Sequence, residues 1–564
     1  MPVITVNLKD FYSLVGKELP ISFLKERLPM LGTAWERESP EEFDIEVFPS
    51  RPDMFSTEGL ARAFSGFIGA KTDIPRYMVA ESGYKASVDA SVKEVRPNIV
   101  IAVIEDIKFT DEALKSVMQL QEKLHVSYCR NRKKASIGVY DLDKVRFPLK
   151  YTTEDSSFRF TPLDLQGKLS IEDIFKKHPK GIEYGHILTL FDNYPILMDS
   201  EGTVLSMPPI INSEDTRVTA STRNLVVDVT GLEWLTINMV LNIVTCTLIE
   251  RGGCVKSVAL AYPYDTPTGR DVRSPDLSIR RLNLEGKAVQ KLLGLNLSME
   301  EVKAYLKTMR FGVEAVDGDT LTVLIPPYRV DIMHPVDLME DIAIAYGYDN
   351  ITPEIPRIST IGEEDLLETL SARVRDLMVG CGYQEVMTYI LTNPRLLFTA
   401  MRLPEVGAAE IVNPETTEYT VCRNWLIPSL VTVLSRNKHR DYPQRVFELD
   451  DVIELDEASE TKARTRRKLA AVTTHAEAGF SEVKAVVDGL LKALGVKGSV
   501  TPGTHPSFLE GRFGVVMVNN EDVGFLGEIH PEVIINFSLE NPIAAVEIDL
   551  EKIRERLRKP ELSL

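Results

Sequence analysis

The stretch Pro326-Pro327-Tyr328-Arg329-Val330-Asp331-Ile332-Met333-His334-Pro335-Val336-Asp337-Leu338-Met339-Glu340-Asp341-Ile342-Ala343-Ile344-Ala345-Tyr346-Gly347 predicts a helix by its punctuation. Pro335 suits the first turn, where its missing N–H costs nothing, and Gly347 suits the left-handed position just past the end. Within that helix Asp337, Glu340 and Asp341 stand at i, i+3 and i+4 and share one face, with Cβ atoms roughly 5–6 Å apart. Asp331 lies just upstream. In solvent, acids near a helix N-terminus gain about 0.3–1 kcal/mol each from the macrodipole. Under a covering surface, two like charges ~5.5 Å apart repel by about 3 kcal/mol at an effective dielectric near 20, and the cluster then needs a cation. Oxygen ligands favour a hard ion such as Mg²⁺ over zinc, with His334 as the one nitrogen candidate nearby. On these residues alone a solvated face and a metal site both stand.

Immediately upstream, Lys287 to Leu293 reads as a helix, and Ser298-Met299-Glu300-Glu301 opens a second with a capping box. Val313 to Val316 and Leu321 to Ile325 flank Asp317-Gly318 as a hairpin that feeds into the acidic stretch. Helix, helix, hairpin, helix over 271–350 is the order of a small winged-helix-like module. Winged modules often contact nucleic acid, but this one carries more acid than base, which favours a protein contact.

Further upstream, Ile4, Val6 and Leu8 alternate as a strand, as do Phe43, Ile45 and Val47, while Leu60, Ala63, Phe64, Phe67 and Ile68 follow helical spacing. Between them Ser50-Arg51-Pro52-Asp53-Met54-Phe55-Ser56-Thr57-Glu58-Gly59 joins a proline turn to a serine cap, read as a tight structural connection. These elements form an α+β module over 1–75, and the polar segment Lys71 to Val88 reads as a linker. A second region, 89–268, opens with an apolar strand, Ile99 to Ile104, and a helix, Asp111 to His125. The cluster Arg130-Asn131-Arg132-Lys133-Lys134 is its one dense basic run, most simply a solvated face. Short strands are expected at Pro195–Met198, Gly202–Met207 and Leu225–Val229, and no G-x-S-x-G or H-E-x-x-H motif occurs.

Downstream, a proline-punctuated linker from Pro353 to Glu364 leads into 360–564. Its helix carries Leu367, Leu370, Val374, Leu377 and Met378 on one side, strands follow at Gln384–Leu391, Arg445–Val452 and Leu469–Thr473, and helices at Pro428–Arg436 and Ser481–Leu494. The succession predicts an antiparallel sheet covered by helices, and the chain as a whole an α+β multidomain protein. Gly524-Phe525-Leu526-Gly527 reads as a turn, and His475, His505 and His530 lack metal-ligand spacing and read as structural.

The bulk properties set limits. A length of 564 residues suggests about four domains of ~150 residues. A formal charge of −18 excludes a general nucleic-acid coat and leaves RNA contact local or made by a partner. Cys129, Cys246, Cys254, Cys381 and Cys422 have no C-x-x-C spacing and an odd count, which points to a reducing cytoplasm. The N-terminus lacks a signal-peptide pattern. The longest uncharged run, Trp234 to Ile249, is too short to span a bilayer and reads as a buried helix, so no membrane association is expected.

The strings P-P-Y-R-V-D-I and H-P-V-D-L-M-E-D-I-A-I-A-Y-G-Y-D-N-I closely resemble the metal-bearing domain of phenylalanyl-tRNA synthetase beta subunits. The resemblance extends along the chain. R-P-D-x-x-S-x-x-G is similar to the family's first module. C-R-N-R-K-K-A-S-I-G-V-Y-D-L-D, V-L-S-M-P-P-I-I-N-S and L-V-V-D-V-T-G are similar to the editing domain of its archaeal and eukaryotic members. R-V-F-E-L-D-D-V, H-P-S-F-L-E-G-R and G-F-L-G-E-I-H-P-E-V are similar to its catalytic-like class II domain. The bacterial pattern, with its inserted tRNA-binding barrel and C-terminal anticodon-binding domain, fits less well.

That resemblance implies a beta subunit in an α₂β₂ enzyme that charges tRNA(Phe) with phenylalanine, the holoenzyme using ATP at the alpha subunit. It implies that Asp331, Asp337, Glu340 and Asp341 hold magnesium shared with alpha, and that the editing domain hydrolyses tyrosine misattached to tRNA. Asp228 and Thr230 of D-V-T-G, with Ser206 and Leu197, correspond to editing-pocket positions. Short polar groups in an apolar pocket suit the recognition of one phenolic hydroxyl. The class II region departs from an active synthetase: Arg445 echoes the ATP-orienting arginine, but no Gly-rich arginine motif follows. Two other classes remain, a scaffold for alpha with a dead pocket and an independent metal-dependent hydrolase using the acidic face.

Overall fold

Residues 2–555 are described by a computed structural model, so the outermost expected boundaries, residues 1 and 564, lie outside the described residues. The chain divides into two compact units, one up to Glu354 and one from Ile355 on.

The first unit begins with β1 (Val3–Asn7), β2 (Thr33–Glu38) and β3 (Glu42–Val47), an antiparallel sheet in the order β1-β3-β2. The alternation read from sequence puts Ile4, Val6, Phe43, Ile45 and Val47 in the core. Helix α1 (Thr57–Phe67) is capped by Ser56, whose hydroxyl accepts from the Gly59 N–H, and every one of its residues is buried. Gly59 is required there, because a Cβ would lie 1.7 Å from the Asp53 carbonyl oxygen.

A sheet of eleven strands follows. Its last strands in order are β8 (Cys254–Thr266), β4 (Asn98–Glu105), β7 (Leu225–Gly231) and β5 (Ala135–Asp141), so β5 is a free edge. The run of apolar residues in β4 is explained by burial on both faces. Val100, Ala102 and Ile104 join the core beneath α2 (Asp111–Val126) and α3 (Trp234–Ile249), while Ile99, Ile101 and Val103 join a second cluster on the far side. β6 (Val204–Met207) belongs to an arm of the same sheet. The segment expected as a linker contains two short strands, Val79–Ala80 and Lys85–Val88, both paired in parallel with β8. They are too short for their alternation to stand out in sequence.

The unit ends with β9 (Arg280–Glu285), α4 (Gly286–Leu293), α5 (Met299–Thr308), β10 (Gly312–Asp317), β11 (Thr320–Ile325) and α6 (Pro335–Tyr346), the strands in the order β9-β11-β10. Strand β9 adds to the order read from sequence. The hairpin turn is one residue later than expected: Asp317 pairs with Thr320, so Gly318 and Asp319 form the loop, with Gly318 at φ +58°. The Ser298–Glu301 capping box forms, and α6 runs from Pro335 to the turn at Gly347 as its punctuation predicts. One apolar core continues from Ile4 and Phe11 to Leu338 and Ile342.

The second unit opens with α7 (Leu366–Gly380) and α8 (Ile427–Arg436). Its seven-stranded sheet runs Gln384–Glu385, β12 (Gln444–Leu455), β13 (Ala463–Thr474), β17 (Ile543–Asp549), β16 (Glu521–Ile529), β15 (Phe508–Val518) and β14 (Gly498–Pro502). Every pairing is antiparallel except the first. α7 and α9 (Phe480–Ala493) cover one face and α8 the other, the sheet-and-helix layering expected. The strand expected over 384–391 stops at Glu385 because the chain leaves the sheet, and Met387 and Tyr389 are exposed. Gly524 and Gly527 lie inside β16 and not in a turn, a Cβ at Gly524 falling 2.2 Å from the Glu547 carbonyl oxygen. Among the described residues no helix is long and apolar enough to cross a membrane.

Candidate functional site

A cavity of about 280 Å³ lies along the free edge of β5, walled by α2 and by the chain that follows β6. The edge strand is closed off by side chains rather than by another strand. The Ile137 N–H donates to His125 Nε2 (2.8 Å), and Gln121 Nε2 donates to the Ile137 carbonyl (2.7 Å). The register of β7 sets Asp228 beside Gly138 and Thr230 beside Ser136.

Asp228 is 1% exposed, and its Oδ1 accepts from the Tyr140 hydroxyl, which is also 2.8 Å from Ser206 Oγ. A phenol has one proton to give, so with Tyr140 donating to Asp228, Ser206 donates to the Tyr140 oxygen. Burial raises Asp228 to about 7, although the Tyr140 hydrogen bond and the Arg96 charge act in the other direction. Burial and the neighbouring carboxylate push Tyr140 well up. Gly138 makes room for the pair: a Cβ there would sit 1.9 Å from the Tyr140 hydroxyl oxygen and 2.2 Å from Asp228 Oδ1.

Asp228 and Ser206 therefore meet on the cavity wall, whereas Thr230 and Leu197 do not line it. Thr230 is wholly buried and holds Arg96, whose Nε donates to Thr230 Oγ1 (2.9 Å) and whose Nη2 donates to the Thr230 carbonyl (2.8 Å). Burial lowers that guanidinium to about 10. Leu197 packs with Tyr140, Leu205 and Val226 behind the wall. Sequence reasoning did not single out Tyr140, Arg96, Ser136 or His125. The alternation in Ala135-Ser136-Ile137-Gly138-Val139-Tyr140 carried a signal for two of them, since it sets Ser136, Gly138 and Tyr140 on one face.

The basic run at 130–134 is partly internal. Arg130, Asn131 and Arg132 all have positive φ, and this tight turn sends the Arg132 guanidinium over the Tyr184 ring (4.3 Å). Its Nη1 donates to the Pro209 and Ile210 carbonyls at 3.2 and 2.9 Å. One charge of that cluster thus holds the cavity wall instead of facing solvent.

The four acids of the 326–347 stretch line a second cavity, of about 680 Å³, together with Arg51. Asp331 accepts a forked pair from Arg329 (2.9 and 2.7 Å), and Arg329 Nη2 is also 2.7 Å from Asp341 Oδ2. Arg329 is 2% exposed and lies over the Phe311 ring. Burial pushes Asp331 up, but Arg329 and Arg51 outweigh it and leave the carboxyl below its ordinary range. Burial wins at Asp341, which is raised. Asp337 Oδ2 accepts from the Met333 and His334 N–H groups at 2.7 Å each, closing a capping box. Glu340 is exposed. The expectation that a covered acid cluster needs a cation is met within the chain by a guanidinium. Among the described residues no group of three or more His, Cys, Asp or Glu side chains is arranged to hold a metal ion. The donor chemistry nonetheless suits a hard ion: all four groups are carboxylates on one cavity.

In the second unit, Arg445 is paired with Glu482 (2.9 Å), which also holds His475 (2.8 Å). His505 packs among Trp425, Phe508, Phe513 and Phe525, and His530 caps the helix Pro531–Asn536. All three histidines are accounted for by packing, capping or pairing.

Residues 98–241 match the B3/4 domain, residues 282–348 the tRNA synthetase B5 domain, and residues 351–550 the phenylalanyl tRNA synthetase beta chain CLM domain. The edge-strand cavity and the acid cluster fall in the first and second of these. The chain is 41% identical over 553 residues to the phenylalanine–tRNA ligase beta subunit of Archaeoglobus fulgidus, covering 98% of both chains. It is 41% identical over 555 residues to that of Methanothrix thermoacetophila, covering 98% of this chain and all of the relative. A crystal structure of an N-terminal fragment of the phenylalanyl-tRNA synthetase beta subunit from Pyrococcus horikoshii superposes with a TM-score of 0.59 at 35% identity, over 62% of this chain and all of the fragment. Identity at this level over nearly the whole length means that the chain belongs to the phenylalanine–tRNA ligase beta-subunit family of the archaeal and eukaryotic type, and so to an aminoacyl-tRNA synthetase.

Proposed function

We propose that this chain pairs with an alpha subunit in an α₂β₂ enzyme that attaches phenylalanine to tRNA(Phe) with ATP, and that its edge-strand cavity hydrolyses Tyr-tRNA(Phe). The observation that carries the hydrolytic reading is the buried Asp228–Tyr140–Ser206 cluster on the cavity wall. A phenylalanine ring entering such a cavity leaves buried polar groups unmatched. A tyrosine hydroxyl matches them, and sites of this kind discriminate strongly between analogues that differ by one hydroxyl. The cavity volume is close to the lower end of ligand sites, roughly 300–1,000 Å³.

Thr230 supports the site from behind through Arg96, as a positioning residue. Among the described residues no serine or cysteine of the cavity is held against a histidine or other base as an activated nucleophile would be, which supports attack by water. Asp228→Ala and Ser206→Ala are expected to slow deacylation of Tyr-tRNA by about tenfold or more while phenylalanylation stays near the parent rate. Equal deacylation by parent and both folded variants would remove the assignment.

We further propose that Asp331, Asp337, Glu340 and Asp341 hold Mg²⁺ beside the Arg329 ion pair, at the contact with the alpha subunit. When bound, such an ion supplies charge neutralisation and a bridge to a partner's oxygens. The chain's own part is done by Arg329, which pairs with Asp331 and Asp341 and aligns them, and by the capping box, which fixes Asp337.

A further inference from the structure

Three residues that line the edge-strand cavity each carry a buried polar atom without a hydrogen-bond partner in the protein: His125 Nδ1, Arg132 Nε and Thr216 Oγ1. Native folds keep few such groups, and a catalytic role or a bound water or ion is among the reasons they are kept. His125 is 2% exposed. Its Nε2 accepts the Ile137 N–H, so the proton of the neutral ring is on Nδ1, the atom left without a partner. Burial, with the charges of Arg132, Arg96 and Lys180 nearby, holds this imidazole well below its ordinary range and therefore neutral. The ring is thus a fixed N–H donor and not a proton acceptor.

Arg132 is equally constrained. Its guanidinium lies on Tyr184, its Nη1 is spent on two carbonyls, and Nε–H is left over. Both N–H groups offer a proton to an acceptor oxygen, on a wall where Lys180 and Arg132 stand with the carboxylate of Glu122, 3.9 Å from Arg132 Nη2. The Asp228–Tyr140–Ser206 cluster already answers the phenolic hydroxyl. Of the other acceptors on an aminoacyl ester, the carbonyl oxygen is the one on which negative charge develops during attack.

We infer that His125 Nδ1–H and Arg132 Nε–H are the donors that receive the ester carbonyl oxygen of an aminoacyl-adenosine end bound in this cavity. The inference rests on the hydrolytic reading above. In the reaction, water adds to the ester carbon and its π electrons move onto the carbonyl oxygen, where the two donors hold the charge. As they return, the bond from carbon to the ribose oxygen breaks. That oxygen takes a proton from the added water, and the amino acid leaves as its carboxylate with the second proton released.

Two substitutions at one position separate this role from the closing of the strand edge. His125→Gln sets an acceptor near the Nε2 position for the Ile137 N–H and deletes the Nδ1 donor. His125→Asn keeps a donor near Nδ1 and gives up the contact to Ile137. Single-turnover deacylation of Tyr-tRNA(Phe) by the full two-subunit enzyme is the readout, beside binding of a non-hydrolysable amide-linked tyrosyl adenosine. His125→Gln is expected to lower the rate roughly 10²–10³-fold, the scale of one oxyanion donor, while affinity for the probe changes by less than about tenfold. His125→Asn is expected to lose far less rate. Arg132→Lys, which keeps the charge and removes Nε–H, gives an independent answer if His125→Gln fails to fold, and a fall in rate with affinity retained is expected there too.

Parent-like deacylation by a folded His125→Gln and by Arg132→Lys, or loss in His125→Asn with His125→Gln spared, overturns the inference. Asp228→Ala and Ser206→Ala, run alongside, tell which reading has failed. If they slow the reaction and His125→Gln does not, the donors alone are wrong. If none of the variants slows it, the hydrolytic reading falls as well.

Discussion

At the scale of residues, the candidate site is governed by where protons sit. Asp228 begins from an ordinary carboxylate pKa near 3.9 when unfolded and is raised to about 7 in the fold. Between those values the folded state holds a proton that the unfolded state has lost. The associated stability is therefore fully present below about pH 4 and declines as pH rises toward 7, by up to a few kcal/mol. Asp228→Asn removes this titration while keeping the shape. The thermal midpoint of the parent is expected to fall relative to that of Asp228→Asn between pH 5 and pH 8, and parallel pH profiles would contradict the raised carboxyl. This residue was legible in D-V-T-G only through resemblance. Its partner Tyr140 lies 88 positions away and meets it through the pairing of β5 with β7, which no local pattern encodes. Thr230 came from the same string with the same expected role. The two-residue period sets both on one face, but Arg96 reaches across and takes Thr230 out of the cavity wall.

At the scale of elements, punctuation was the most legible part of the sequence: Ser56, Ser298 and Pro335 mark helix starts that the structure keeps. Short strands at 79–88 and the early end of the strand at Glu385 were not legible, because two to four residues carry too little periodicity to outweigh their neighbours. The link joining Arg51 to α1 was read as a tight structural connection, and Gly59 tests how tight. With its Cβ position 1.7 Å from a backbone oxygen, Gly59→Ala must move α1 or the Asp53 turn, and a loss on the order of 3 kcal/mol or more is expected in thermal or denaturant unfolding. An unchanged midpoint would mean that the close approach is not held in solution. Helix α6 tests the proposed ion. Asp331 and Asp341 are tied to Arg329 and Asp337 to the capping box, so substituting them disturbs structure as well as charge. Glu340 is exposed and outside those contacts, which makes Glu340→Gln the cleaner probe. Without magnesium it should change stability by no more than about 0.5 kcal/mol, as surface substitutions do. With magnesium, the parent's midpoint should rise by the binding free energy, and that rise should shrink in Glu340→Gln. A parent whose midpoint and metal content ignore magnesium would leave the guanidiniums of Arg329 and Arg51 as the cations of the cluster.

At the scale of the whole molecule, two arginines of the second unit's sheet region, Arg445 and Arg423, are already paired. Forming an aminoacyl adenylate requires a cationic side chain free to orient the triphosphate and to stabilise charge as pyrophosphate leaves. Arg445, the position that echoes such a residue, is bound to Glu482, itself shared with His475. Arg423 is wholly buried, with Nη1 2.9 Å from Glu448 and Nη2 2.8 Å from Asp450. Taking either guanidinium away from its carboxylates leaves an uncompensated charge, most costly at the buried Arg423–Glu448 pair, where breaking such a pair costs about 3–5 kcal/mol. Binding of ATP would have to supply that free energy before any chemistry began. Gly524 and Gly527 lie within β16, where close packing excludes a Cβ, and do not form a loop that could cradle an anion. The purified chain alone is therefore expected to give no phenylalanine-dependent ATP–pyrophosphate exchange, and exchange should emerge when the alpha subunit is added. The proposed hydrolysis of Tyr-tRNA is assigned to the edge-strand cavity, so Asp228→Ala should leave exchange by the reconstituted enzyme at the parent rate. Exchange by the single chain, or its loss in reconstituted Asp228→Ala, would mean that synthesis and hydrolysis are not divided between the two sites in this way.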